Sequence, residues 1–353
     1  MNKLFAERFK SARIMRGFSL QNLADKIGNR ISRQALHKYE KGESYPDSEV
    51  MALLCEALGV HRDFFSRESI IELGEIQFRK LDKLPTKEQN RVVETTKEIL
   101  TRYLELEELL GIKKTFNNPI KNYKSISSYE DVEHMAEEIR KQWNIGINPI
   151  YNVIELLEDN NIKVIEIDAE DEFDGLQTLI EGKNIPVIVL NTGRLKSSDR
   201  KRFTALHELA HLLLPLNGVP EKLAEKYCHR FAGAMLFPKK TAESEFGDKR
   251  NKISFQEFGM IKQKYGISIQ ALIYRAKDLG IISDYYYSTL FSLIKQLDWK
   301  IQEPYVYEGK ENSNRFDQLL LRALSEEVIS LSKASSLKNQ KLAEFRNNNL
   351  LPA

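Results

Sequence analysis

The sequence predicts a multidomain, mainly α chain: an all-α N-terminal bundle of short helices, a helical connector, an α+β domain and a helical C-terminal region. Three observations carry that prediction. Residues 1–65 hold four short apolar-periodic runs, each bounded by capping residues or glycine. Between Ile162 and Asn191 lie three short β-rich runs separated by turn residues. Directly after them, Phe203 to Pro215 reads F-T-A-L-H-E-L-A-H-L-L-L-P, an apolar helix carrying H-E-x-x-H.

Bulk composition sets the outer limits. With 353 residues and 42% hydrophobic content, two or three domains with their own cores are expected. Fifty-three basic residues against 51 acidic ones leave +2, which excludes a polycation. Residues 1–65 carry a mild basic surplus, eleven Lys and Arg against eight Asp and Glu. The start, M-N-K-L-F-A-E-R-F-K, lacks the apolar centre of a signal peptide, and no run of 18 apolar residues exists to span a membrane. Two distant cysteines, Cys55 and Cys228, complete the expectation of a reduced, cytoplasmic protein.

The N-terminal elements follow from their punctuation. Leu4, Phe5, Phe9, Ala12 and Ile14 give residues 4–16 an apolar side, and Gly17 ends that helix. Ser19 reads as an N-cap for L-Q-N-L-A-D-K-I, which Gly28 stops. Ser32 caps R-Q-A-L-H-K-Y-E, closed by Lys41-Gly42, and Pro46-Asp47 opens S-E-V-M-A-L-L-C-E-A-L-G-V. Short helices joined by a tight, glycine-bearing turn match helix-turn-helix geometry. Residues 4–65 resemble the Xre/Cro group of helix-turn-helix domains, through S-L-Q-N-L-A-D-K-I-G, I-S-R-Q-A-L-H-K-Y-E-K-G-E-S-Y-P and L-C-E-A-L-G-V. The resemblance implies that the third helix enters the major groove of an operator DNA, with Arg33, Gln34 and His37 facing base edges. Arg33 has a bidentate fork for guanine and Gln34 can pair with adenine, while Gln21 and Lys38 would touch phosphates. Asn29-Arg30 departs from the commonest turn length.

Residues 66–128 read as a helical connector and linker. Its helical patterns break at Leu84-Pro85-Thr86 and lapse into a linker-like run from Lys113 to Ser128. Ile99, Tyr103, Leu106 and Leu110 form a stripe suited to packing against a neighbouring domain or a second subunit, so a homodimer is one expectation. Residues 129–284 begin with a helix from about Tyr129 to Trp143, then a second over N-P-I-Y-N-V-I-E-L-L-E-D-N-N. Strands follow at I-K-V-I-E-I, L-Q-T-L-I after the Asp174-Gly175 turn, and I-P-V-I-V-L-N. Pro186 in the last cannot donate to a ladder, so it belongs at a strand start or on an edge. An edge strand there would suit capture of an extended peptide; a short buried strand without a substrate role is the other reading.

On the 203–215 helix, His207 and His211 at i,i+4 share one face, so both imidazoles can reach one ion. Glu208 is turned about 100° from His207 and can act as a base beside the ion without ligating it. Phe203, Leu206, Leu209, Ala210, Leu212, Leu213 and Leu214 leave little exposed face, and two buried imidazoles with a buried carboxyl would be costly without a metal. Catalytic zinc keeps three protein ligands and an open position. The third must come from E-K-L-A-E-K-Y-C-H-R-F-A-G-A-M-L-F-P, which offers Glu221, Glu225, Cys228 and His229; periodicity does not choose among them.

Residues 129–283 resemble the ImmA/IrrE family of gluzincin-like zinc metallopeptidases. The family's pattern falls on Glu225, Cys228, His229, Phe231, Ala232, Met235-Leu236 and Pro238, with Asp174-Gly175, the I-V-L-N strand and Y-G-I-S-I-Q-A-L-I-Y-R-A-K-D-L-G-I-I also matching. This resemblance implies one Zn2+ held by His207, His211 and Glu225, with Glu208 as general base of an endopeptidase. It also implies a protein substrate, a helix-turn-helix repressor, whose cleavage relieves repression of stress or mobile-element genes. Cys228 and His229 replace the usual Ala and Asn, and His229 is expected as a packed or orienting histidine. Two rivals stand beside the peptidase: a transcription factor whose zinc fold senses a metal or partner, and an antitoxin-like binding protein. Residues 285–353 carry no chemical motif.

Overall fold

The computed structural model of the chain describes residues 2–68, 71–74, 84–169, 173–300 and 302–349. They divide into two compact units, one of residues 2–68, 71–74, 84–114 and 314–349, the other of residues 115–169, 173–300 and 302–313.

The first unit opens with α1 (Asn2–Met15), α2 (Leu20–Lys26), α3 (Arg33–Lys41), α4 (Ser48–Leu58) and a 3-10 turn at Arg62–Ser66. Ser19, Ser32 and Asp47 cap α2, α3 and α4 by accepting from Asn22, Ala35 and Val50 backbone N–H groups. Gly28 and Asn29 both adopt left-handed φ, +68° and +56°, which lets the chain turn sharply between α2 and α3. Phe5, Phe9, Leu23, Leu36 and Leu54 interdigitate in one core. The following α5 (Thr86–Leu109) carries the predicted stripe; the earlier part of that connector, at 69–70 and 75–83, lies outside the described residues.

The second unit begins with α6 (Tyr129–Gln142) and α7 (Val153–Asp159) and then forms one three-stranded sheet: β1 (Lys163–Ile167), β2 (Gly175–Ile180) and β3 (Ile185–Asn191). The strand order is β1-β3-β2, with β1 parallel and β2 antiparallel to β3. The I-P-V-I-V-L-N strand is therefore the central one, and the sequence expectation of an edge there is corrected. Pro186 is tolerated for a specific reason. Asn191 N–H donates to the Asp174 carbonyl, so the pairs Leu176↔Val189, Thr178↔Val187 and Ile180↔Ile185 exchange the ladder bonds. Leu179↔Pro186 falls between them, and the proline nitrogen faces the β1 side one residue before that pairing begins at Lys163↔Val187. No strand pairs with the outer edge of β2 among the described residues.

Beyond the sheet run α8 (Ser198–Leu213), α9 (Glu221–Leu236), α10 (Lys239–Phe246), α11 (Phe255–Tyr265), α12 (Ile269–Asp278) and α13 (Asp284–Gln296). Helix α8 packs on β2 and β3 and, along its other side, on α9; α6 and α12 support α9 from behind. Leu214 is extended because Pro215 follows, which ends α8. Arg202, fully buried on α8, fixes the helix by pairing with Glu311 and donating to the Ile150 carbonyl at 2.6 Å and Tyr307 Oη at 3.0 Å. Glu311 also accepts from the Val153 N–H at 2.9 Å, at the start of α7.

The chain then returns to the first unit as α14 (Arg315–Ser325), α15 (Leu331–Lys338) and α16 (Leu342–Asn349). Tyr103 and Leu106 of the α5 stripe are buried in a shared core with Leu320, Ala323, Leu337 and Phe345. Tyr103 and Leu106 are thus covered by the chain's own C-terminal helices. No helix among the described residues is long and apolar enough to cross a membrane.

Candidate metal centre and nucleic-acid interface

Helices α8 and α9 face each other with one i,i+4 pair apiece. From α8 come His207 and His211, whose Nε2 atoms lie 3.2 Å apart. From α9 comes Glu225, whose two carboxylate oxygens stand 3.3 Å from the two Nε2 atoms. Donor atoms about 2.0–2.1 Å from a tetrahedral ion stand about 3.3 Å from one another. The Glu225 carboxylate thus faces both imidazoles, one oxygen to each, at about that edge length. The imidazoles of His207 and then His211, by hydrogen bonding, hold the Glu225 carboxyl well below the usual carboxylate range against a smaller opposing effect of burial. Glu225 thus stays an anion, the form that ligates.

Glu208 is 1% exposed. It projects from α8 toward β2, where Gly175 packs against its Cγ and against Thr204. Two residues along β2, Gln177 is buried, and its Oε1 has no hydrogen-bond partner among the described residues. His229, expected as a packed or orienting histidine, lies beside these groups. It is exposed, its ring stacked on Phe203 with centroids 5.9 Å apart and 4.6 Å from the ring of His207. The ligand atoms of His207, Glu225 and His229 also lie within 4.8 Å of one another, a second group that could hold an ion. Glu221 and Cys228 enter neither set among the described residues.

In the first unit, Leu36 and Tyr39 turn α3 inward, which leaves Arg33, Gln34, His37 and Lys38 exposed along one groove. Leu20 and Glu43 also line it, and Glu43 brings a carboxylate that sequence reasoning did not single out. Gln21 lies outside that set: it is exposed on α2 and donates to Asp25 Oδ1 at 2.9 Å, so a phosphate contact would have to break that bond.

Comparison with known proteins follows the same division. Residues 9–65 match the helix-turn-helix family model, and residues 157–277 match the IrrE N-terminal-like domain. The chain joins an Xre-type helix-turn-helix domain to an ImmA/IrrE-type domain. Within the helix-turn-helix segment it is similar to the SPbeta prophage-derived uncharacterized HTH-type transcriptional regulator YonR of Bacillus subtilis (strain 168), 43% identical over 61 residues. That stretch is 17% of this chain and 55% of that regulator, so the likeness spans about half of the relative's length.

The second unit also contains groups that no motif announced. Glu133 on α6 accepts from Arg275 of α12 and Arg230 of α9, at 9% exposure or less for all three, and so fixes α9 in position behind Glu225. The three residues are spread across more than 140 positions of sequence, so helical periodicity marks each as a charge and none as a partner. Arg202 and Glu311, 109 residues apart, were hidden in the same way.

Proposed function

We propose that the chain is a zinc-dependent endopeptidase that carries its own DNA-reading domain and cuts a protein substrate, a helix-turn-helix repressor. The observation that carries the peptidase half is the convergence of His207, His211 and Glu225, 3.2–3.3 Å apart, beside a buried Glu208. His207, His211 and Glu225 would hold the ion. When bound, zinc supplies a Lewis acid and lowers the pKa of a water towards 7. Glu208 takes up a proton at its carboxylate and returns it to the leaving amine nitrogen. Its burial against Gly175 removes competing water and fixes the carboxylate's direction. The outer edge of β2 receives the peptide as an added strand, because the N–H and C=O groups of Gly175, Gln177 and Leu179 point away from β3 there.

The DNA half rests on the exposed set Arg33, Gln34, His37 and Lys38 of α3 and on the helix-turn-helix match. Repressor cleavage is the reading that the ImmA/IrrE resemblance favours, since both parts would then act at one promoter. The test uses purified full chain, zinc, and repressors encoded near its own gene, with fragments mapped by mass. Glu208→Gln should keep about one zinc per chain and lose turnover by about 10²–10⁴-fold. Glu225→Ala should weaken zinc binding by more than the roughly 10–100-fold that loss of an outer partner costs. Full zinc retention by Glu225→Ala would remove it from the ligand set.

A further inference from the structure

The facing pairs on α8 and α9 do not end at three ligands. Glu225 and His229 are themselves i,i+4 on α9, so both side chains project toward the face that presents His207 and His211. Two helices that each offer an i,i+4 pair make a four-ligand frame. The ligand atom of His229 lies within 4.8 Å of those of His207 and Glu225. Tetrahedral neighbours stand about 3.3 Å apart, so about 1.5 Å of movement would bring His229 to that distance from His207 and Glu225. An exposed imidazole with two soft side-chain torsions makes such a movement without displacing backbone. Its stacking on Phe203 marks the other position, clear of the ion.

We propose that His229 is a fourth, displaceable protein ligand, so that the resting metal site is closed by His207, His211, Glu225 and His229 and opens when His229 swings back onto Phe203. Zinc sites with four protein ligands are structural and closed, whereas catalytic ones keep an open position. A side chain that moves between the two arrangements restrains a peptidase until substrate is seated. The proposal rests on the zinc reading above and adds a regulatory state to it.

Zinc-edge X-ray absorption of the full chain counts imidazole ligands and separates the two claims. Three imidazoles in the native protein and two in His229→Asn are expected, with zinc affinity in chelator competition lower by about tenfold or more in the variant. Peptidase turnover should rise in His229→Asn, because the open position is then permanent. Phe203→Ala, which removes the stacking partner, should leave three imidazoles and lower turnover. Two imidazoles in both native protein and His229→Asn, with equal affinities, would overturn the fourth ligand while leaving the zinc peptidase intact. A native chain that binds no zinc would overturn both.

Discussion

Gly175 lies directly against Glu208. A Cβ built on the glycine would come 3.2 Å from Glu208 Cγ and 3.1 Å from both Thr204 Cγ2 and the Val189 carbonyl oxygen. The carbonyl belongs to the central strand and cannot yield, so Gly175→Ala must displace either β2 or the Glu208 side chain by a few tenths of an ångström. A misplacement of about 1 Å at a reacting group costs about 10²-fold, so the smaller shift should lower kcat/KM by about tenfold. Zinc content should be unchanged, since no ligand moves. Assaying turnover and bound metal on one preparation checks this, and unaltered turnover would mean that Glu208 tolerates the methyl group.

The same contact shows where sequence reasoning stops. Helix caps, left-handed turns and the spacing of His207, Glu208 and His211 are local, and they were legible because each depends on residues within one or two turns. Glu225 was reachable only through a family pattern, because four polar residues on that helix satisfied the spacing. The role of Gly175 beyond its turn, the buried Glu133 cluster and the covering of the α5 stripe depend on tertiary neighbours. Pro186 is the instructive miss. It was rightly placed at a strand start, yet an edge was also allowed, and only the register with Lys163 and Ile185 shows why a central strand accepts it.

Glu133 gives a stability prediction with a definite pH sense. Burial alone would raise its carboxyl, but hydrogen bonds and charge from Arg275, then Arg230, outweigh burial and hold it below the ordinary range. A depressed folded-state value contributes stability that is fully present above the unfolded pKa of about 4.3 and is lost as pH falls through the folded value. Glu133→Gln leaves the buried Arg275 without its carboxylate and Arg230 with Asp278, and should cost about 3 kcal/mol near neutral pH. It should also flatten the acid side of the stability profile. Both tryptophans, Trp143 and Trp299, lie in residues 115–313, so urea unfolding followed by fluorescence reports on this unit. Parallel acid limbs for native and variant proteins would show that Glu133 does not carry the effect.

For the N-terminal domain, Arg33→Ala should relax sequence preference, at about 1–3 kcal/mol on the cognate base pair. Lys38→Ala should instead weaken all duplexes alike and reduce the salt dependence of binding by about one counterion. Gln21→Ala should do little, because its amide already serves Asp25. Selection from random duplexes with each variant distinguishes these outcomes. If Arg33→Ala selects the native sequence with unchanged stringency, the residue does not read bases.

The last prediction joins the two activities. A peptidase free to cut any extended chain would harm its host, and a strand edge at β2, unpaired among the described residues, gives little side-chain selectivity of its own. We predict that binding of the helix-turn-helix domain to an operator supplies the missing selectivity by bringing a repressor bound on the same DNA within reach. Tethering of this kind raises effective concentration to the millimolar range for short linkers, so weak capture along β2 becomes sufficient. The full chain is required for the test, because the helices of residues 314–349 pack in the same unit as α5 and a truncation would disrupt them. Cleavage of one repressor should be compared for the native chain and for the Arg33→Ala, Lys38→Ala double variant, each with and without operator DNA. Operator DNA should accelerate only the native chain, and raising salt should abolish the acceleration while sparing the basal rate. Equal rates in all four reactions would show that DNA binding and proteolysis are separate tasks of one polypeptide.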